Sequence, residues 1–198
     1  MSPAPQLLPS WNANAGGISA FYFKDPDQHV LEVIHFPPGK GLDKWQMPSS
    51  KLFLGIDHTA IVVADTRLSL AWYRGVLAMQ VAGRSENYGP EQERLNNVEG
   101  AHLRITSLRA PHGPGIELLE YLTPVGGRPY PANERPTDLV HWETTVVVAE
   151  VKAATTVLDL LAHPHIPAAP VSPPVRTPFT SAVLARDPDG HLLRIVQR

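Results

Sequence analysis

Thr59-Ala60-Ile61-Val62-Val63-Ala64-Asp65 lies over Thr144-Thr145-Val146-Val147-Val148-Ala149-Glu150, 85 positions apart and without a gap. Each position matches in size and polarity. The β-branched run of each copy reads as a strand, and it ends where Asp65 or Thr66 can cap a helix. After the first copy, Leu68, Ala71, Trp72, Val76 and Leu77 recur three and four residues apart, which predicts an amphipathic helix over 66–79. After the second, a helical pattern covers 151–162. Strand candidates complete the first copy near 79–82, at 101–108 and at 115–122, with a polar interruption over 84–92. In the second copy prolines fill 163–178, and strands close the chain at 181–186 and 191–196. The same order of elements, βαβββ, is written twice.

A second match reaches further out. Lys24-Asp25-Pro26-Asp27-Gln28-His29-Val30-Leu31-Glu32-Val33-Ile34 lies over Arg186-Asp187-Pro188-Asp189-Gly190-His191-Leu192-Leu193-Arg194-Ile195-Val196. The runs 18–23 and 30–36 therefore read as the closing hairpin of a third βαβββ unit. The expected organisation is a hairpin remnant plus linker over 1–50 and a paired domain over 51–198, made of modules 51–124 and 138–198 joined by a linker at 125–137. Retention of the hairpin over a sheet edge, pairing with another chain, and a start internal to a longer protein each account for it. An open edge makes a homodimer an expected state.

Composition narrows the function. The 198 residues carry a formal charge of -2 with Lys and Arg scattered, so no basic field invites nucleic acid. No apolar run reaches the ~18 residues of a membrane span, and a cytoplasmic protein acting on a small molecule is expected. With no cysteine, any metal would rest on carboxylates and the nine histidines. The 21 prolines mark module borders and turns.

Ile56-Asp57-His58-Thr59-Ala60-Ile61-Val62-Val63, the Trp72-Tyr73-Arg74 of the following helix, and Asp-Pro-Asp-(Gln/Gly)-His in both closing hairpins resemble the vicinal oxygen chelate superfamily. That superfamily includes glyoxalase I, methylmalonyl-CoA epimerase, extradiol dioxygenases and the metal-free bleomycin-resistance proteins. The resemblance implies an α+β fold in which paired βαβββ modules form a curved mixed sheet around a cup-shaped cavity, here with an extra N-terminal β-hairpin. It also implies a divalent metal, Fe, Mn, Ni, Mg or Zn, held inside the cup.

His58 stands where the superfamily places its first metal-binding histidine, and Glu117 of Gly115-Ile116-Glu117-Leu118 matches its Ile-Glu-Leu carboxylate. Strand alternation sends Glu117 and Glu120 to opposite faces, and the motif selects Glu117. In the second module the gapless repeat puts Glu143 over His58, while His141 lies two residues earlier on the same face; either can be the ligand. The closing-hairpin glutamate slot holds Glu32 in the first hairpin and Arg194 in the last. A guanidinium cannot ligate a cation, so Arg194 is expected to orient a substrate or pair with a carboxylate. Asn96 and Asn97, next to the polar stretch, are expected to offer amide contacts to the substrate.

The expected chemistry is of the lyase or isomerase kind: a metal acting as Lewis acid on two adjacent substrate oxygens, with Glu117 or Glu143 as general base. A metal-free binding protein and a non-haem iron dioxygenase are the competing readings.

Overall fold

A computed structural model describes residues 1–131, 133–172 and 177–198. The proline-rich stretch 163–178 lies partly outside the described residues. The chain divides into two compact units, residues 1–62 with 81–127 and residues 63–80 with 128–198.

The first unit holds two sheets. One is antiparallel, β1 (Gln6–Leu7), β2 (Ser19–Lys24) and β3 (Val30–His35), in that order. Its hairpin turn is tied by Asp25, whose Oδ1 accepts the His29 N–H at 2.9 Å, and Gln28 takes the left-handed conformation at φ 77°. The other sheet contains β4 (His58–Val62), β5 (Gln80–Asn87), β6 (His102–Arg109) and β7 (Gly115–Thr123), in the order β4-β7-β6-β5. β4 runs parallel to β7, and β6 antiparallel to it.

The second unit takes helix α1 (Thr66–Leu77), which follows β4 directly in the chain. Asp65 caps it, accepting from Arg67 N at 2.7 Å and Leu68 N at 3.2 Å, and Ala78 ends it in the left-handed region. The sheet here is β8 (Glu143–Val147), β11 (Leu192–Gln197), β10 (Ser181–Arg186) and β9 (His165–Val171), again with the first strand parallel to the last. Helix α3 (Val151–Leu160) packs on α1 and on this sheet. Buried Trp72, Tyr73, Val151, Leu158 and Ile195 belong to its core. The turn at 187–191 repeats the first hairpin: Asp187 Oδ1 accepts from Asp189 N and His191 N. Gly190 is left-handed at φ 96°, and a Cβ there would stand 3.1 Å from Tyr130 Cβ. Gln28 meets the same backbone demand without glycine, a strain of about 1 kcal/mol.

The α+β architecture with its two similar four-stranded sheets is the one the 85-residue repeat leads one to expect. Two local readings change. The polar interruption at 84–92 is the second half of strand β5, followed by a helix α2 (Pro90–Asn96). The stretch at 163–178 includes strand β9, despite Pro164, Pro167 and Pro170. In β5, Arg84 and Glu86 are exposed while Asn87 is buried, the alternation of a strand with one wet face. Helix α2 has too few turns to show a period. Its markers are Pro90 in the first turn after the left-handed Gly89, with Glu91 and Glu93 following.

Candidate functional site

The pairing register of the first unit stacks side chains in layers along one cavity of about 340 Å³. Ser107 stands opposite Glu117, Ile105 opposite Leu119, and Leu103 opposite Tyr121. The N-terminal hairpin supplies Tyr22 opposite Glu32 and Ala20 opposite Ile34. All of these except Tyr121 line the cavity, together with His58 and Asp57. One end is therefore a polar layer, and the layers beyond it are apolar.

The polar layer centres on His58, the first residue of β4. Its Nδ1 lies 2.9 Å from Asp57 Oδ2. Asp57 is itself locked: Trp45 donates from Nε1 at 2.6 Å, and Arg109 donates to its carboxylate at 2.8 Å and to its carbonyl at 2.7 Å. Burial works against ionising Asp57, but the hydrogen bonds from His58, Trp45 and Arg109 hold its carboxyl well below the usual carboxylate range. With Nδ1 engaged, Nε2 faces the cavity. It stands 3.6 Å from Glu117 Oε2 and 3.8 Å from Glu32 Oε2. Glu117 is fixed by Ser107, which donates to Oε1 at 2.8 Å, and Tyr22 donates to Glu32.

The charges respond to one another. Burial depresses the basicity of His58, but the Asp57 hydrogen bond and the Glu117 and Glu32 charges overcome it and raise the imidazole to about 9. Burial pushes Glu32 up to about 7, against the pull of His58 and with the push of Glu117. Burial and the neighbouring Glu32 also raise the Tyr22 hydroxyl.

One imidazole and two carboxylates are donor types that divalent cations take. Two donors each about 2.1 Å from a shared ion lie roughly 3 to 4 Å apart, the range in which Nε2 and its two carboxylate neighbours stand. A ligating imidazole is neutral; the carboxylates of Asp57, Glu117 and Glu32 against the Arg109 guanidinium bonded to Asp57 then leave two negative charges, opposite to those of such an ion. Among the described residues, no group of three or more His, Cys, Asp or Glu side chains is placed so that it could hold a metal ion as it stands. Instead the two glutamates approach one imidazole nitrogen.

The structure thus brings His58 and Glu117 together and adds Glu32, Asp57, Trp45 and Ser107. Glu120 is on the other side of β7, paired with Arg104 at 3.0 Å. His141 and Glu143 belong to the second unit. There Arg194 donates to Glu143 at 2.9 Å, and His141 Nδ1 lies 2.8 Å from Glu134, a linker residue that Arg186 also holds. Asn96 lines the cavity, whereas Asn97 is an exposed left-handed residue at the end of α2. Trp45 sits in an aperiodic segment of the sequence, which carries no signal for its role. The signal for Glu32 was present: it fills the glutamate slot of a repeated hairpin.

Comparison with known proteins identifies the family and the fold. The model of the Glyoxalase/Bleomycin resistance protein/Dioxygenase superfamily matches residues 55–195. The chain belongs to that superfamily. Solved structures similar to this member include a glyoxalase family protein from Bacillus cereus, with a TM-score of 0.60, 18% identity, and coverage of 76% of this chain and 98% of that one. A glyoxalase family protein from Enterococcus faecalis matches with a TM-score of 0.52 and 17% identity over 74% of this chain and 99% of that one. A glyoxylase/bleomycin resistance protein/dioxygenase domain from Frankia sp. EAN1pec matches at 0.51 and 18% over 72% and 90%. These likenesses concern the fold. No curated protein matches this superfamily member. No helix among its described residues is long and apolar enough to cross a membrane.

Proposed function

We propose that the chain is a metal-dependent enzyme of this superfamily, of the glyoxalase or epimerase kind, moving a proton on a small substrate with two adjacent oxygens. The observation that carries this reading is His58 Nε2, fixed in direction by Asp57 and facing two glutamates across 3.6 and 3.8 Å. His58, Glu117 and Glu32 would hold the ion. When bound, it supplies Lewis acidity to the substrate oxygens.

The chain's own groups divide the remaining work. Asp57, held by Trp45 and Arg109, keeps a proton on His58 Nδ1 and so leaves Nε2 to donate its lone pair. Ser107 orients Glu117. Glu32, bonded to Tyr22, is a carboxylate within reach to take and return the proton. Glu117 is the other carboxylate within reach for this role. Glu143, His141 and Arg194 are engaged with one another or with Glu134 in the second unit.

One observation favours a second reading. A protonated His58 lies within ion-pair distance of Asp57, Glu117 and Glu32 and offsets part of their charge, so the cup would also serve as a metal-free binding site. An oxygen-activating iron centre draws less support, because the cavity offers one imidazole and two carboxylates where such centres use two histidines and one carboxylate. Elemental analysis of protein purified without chelators decides between the first two. About one equivalent of a divalent metal, lost in His58→Ala, is expected. Less than about a tenth of an equivalent before and after reconstitution would leave the metal-free reading.

A further inference from the structure

The hairpin that closes a βαβββ unit occurs three times in this chain, and in one copy its outer face is bare. Ala20, Tyr22, Glu32 and Ile34 of β2 and β3 line the cavity, so Phe21, Phe23, Leu31 and Val33 point the opposite way. Leu7 of β1 pairs with Ser19 and joins that outer face. The repeat that sets Lys24 over Arg186 sets these four hairpin residues over Val183, Ala185, Leu193 and Ile195. In the first module the matching positions of β6 and β7 are Thr106, Leu108, Ile116 and Leu118. Every one of these counterparts is at most 4% exposed, whereas Leu7, Phe23 and Leu31 are 63%, 36% and 37% exposed. Phe21 and Val33 are half-buried.

The second module shows what such a face takes. Helix α3 packs on β10 and β11, and its buried Val151, Ala154, Thr155 and Leu158 form one stripe at three- and four-residue spacing. The helices of this chain are engaged elsewhere than on the bare face. Helix α2 meets the hairpin sheet on its inner side, where Leu95 packs with Ala20. Helices α1 and α3 bury Trp72, Tyr73, Val151 and Leu158 in the second unit. Area separates a helix from a second copy of the face. Two paired strands of six residues, with β1 alongside, present a surface about 20 Å long and roughly 10 Å wide. That is the footprint of a three-turn helix, about 15 Å long and 10 Å across. A stable dimer needs roughly 800 Å² on each partner, about four times as much.

We infer that the outer face of the N-terminal hairpin is a docking surface for an amphipathic helix of about three turns, with a small and aliphatic stripe, carried by another protein chain. The helix would seat on Phe21, Phe23, Leu31 and Val33 as α3 seats on Val183, Ala185, Leu193 and Ile195. This face lies across the hairpin from the cavity, and the inference is independent of the metal reading.

The probe is a fluorescein-labelled synthetic peptide with the sequence of residues 148–162, stapled across its outward positions 152 and 156. It is titrated into the full chain in the presence of a chelator and followed by fluorescence anisotropy. Saturable binding in the range of tens of micromolar is expected. Leu158→Asp in the peptide, or Leu31→Lys in the protein, should weaken it at least about tenfold. No saturable binding up to about 1 mM would overturn the inference, as would binding that Leu31→Lys leaves unchanged. Where Leu31→Lys fails to fold, a benzophenone at the Leu158 position of the peptide decides on the wild-type protein. Photolabelling within residues 19–35 is expected, and labelling confined to the second unit would count against the inference. Sedimentation of the protein alone tests the other occupant: self-association that Leu31→Lys abolishes would give the face to a second copy and overturn the helix.

Discussion

Glu32→Gln is expected to weaken divalent-metal binding by at least about 100-fold while the fold persists. Loss of a group that only supports a ligand already costs about 10- to 100-fold in metal affinity, and loss of a charged donor costs no less. Glutamine keeps the shape of Glu32 and an oxygen to accept from Tyr22, so β2 and β3 retain their pairing. The N-terminal hairpin is then part of the site rather than a cover for a sheet edge. Competition against a chelating dye measures the effect. A change under about threefold would show that the hairpin contributes no ligand.

Chelator-treated protein is expected to lose about 3 kcal/mol of stability as pH rises from 6.5 to 9, and His58→Gln should abolish that part of the slope. His58 is raised from 6.5 to about 9 in the folded state, so the folded protein binds more protons than the unfolded chain across that window. Its contribution is complete below 6.5 and lost as pH climbs through 9. Glu32 acts in the same sense lower down, since a carboxyl raised from 4.5 to about 7 is kept protonated by burial and ionises at a cost. Asp57 has the opposite sign. Its depressed value gives stability above the ordinary carboxylate range that fades only in strong acid. Urea unfolding of wild type and His58→Gln at several pH values isolates the histidine. Parallel curves across 6.5 to 9 would contradict the charge balance described for the cavity.

Much of the architecture was legible in the chain because it is written twice. Thr59 to Asp65 and Thr144 to Glu150 become β4 and β8, each parallel to the last strand of its sheet. Asp25 and Asp187 tie matching turns. Helix α2 and the far half of β5 were not legible, the one for want of turns and the other because its outward residues are charged. At the site, motif and alternation pointed to His58 and Glu117. What they could not supply was long-range pairing. That Arg194 meets Glu143 depends on the register of β11 against β8, and that Glu32 meets His58 depends on two sheets closing over one cavity. Trp45 acts through a single hydrogen bond to Asp57, which leaves no periodic trace in a sequence.

A metal at the junction of the N-terminal hairpin and the first βαβββ module is the central expectation. Anomalous scattering from crystals of the metal-reconstituted protein, collected on both sides of the metal's absorption edge, tests it most directly. The account predicts one peak within bonding distance of His58 Nε2, Glu117 and Glu32. A peak at His141 or Glu143 instead, or no peak at His58 in fully reconstituted crystals, would contradict it.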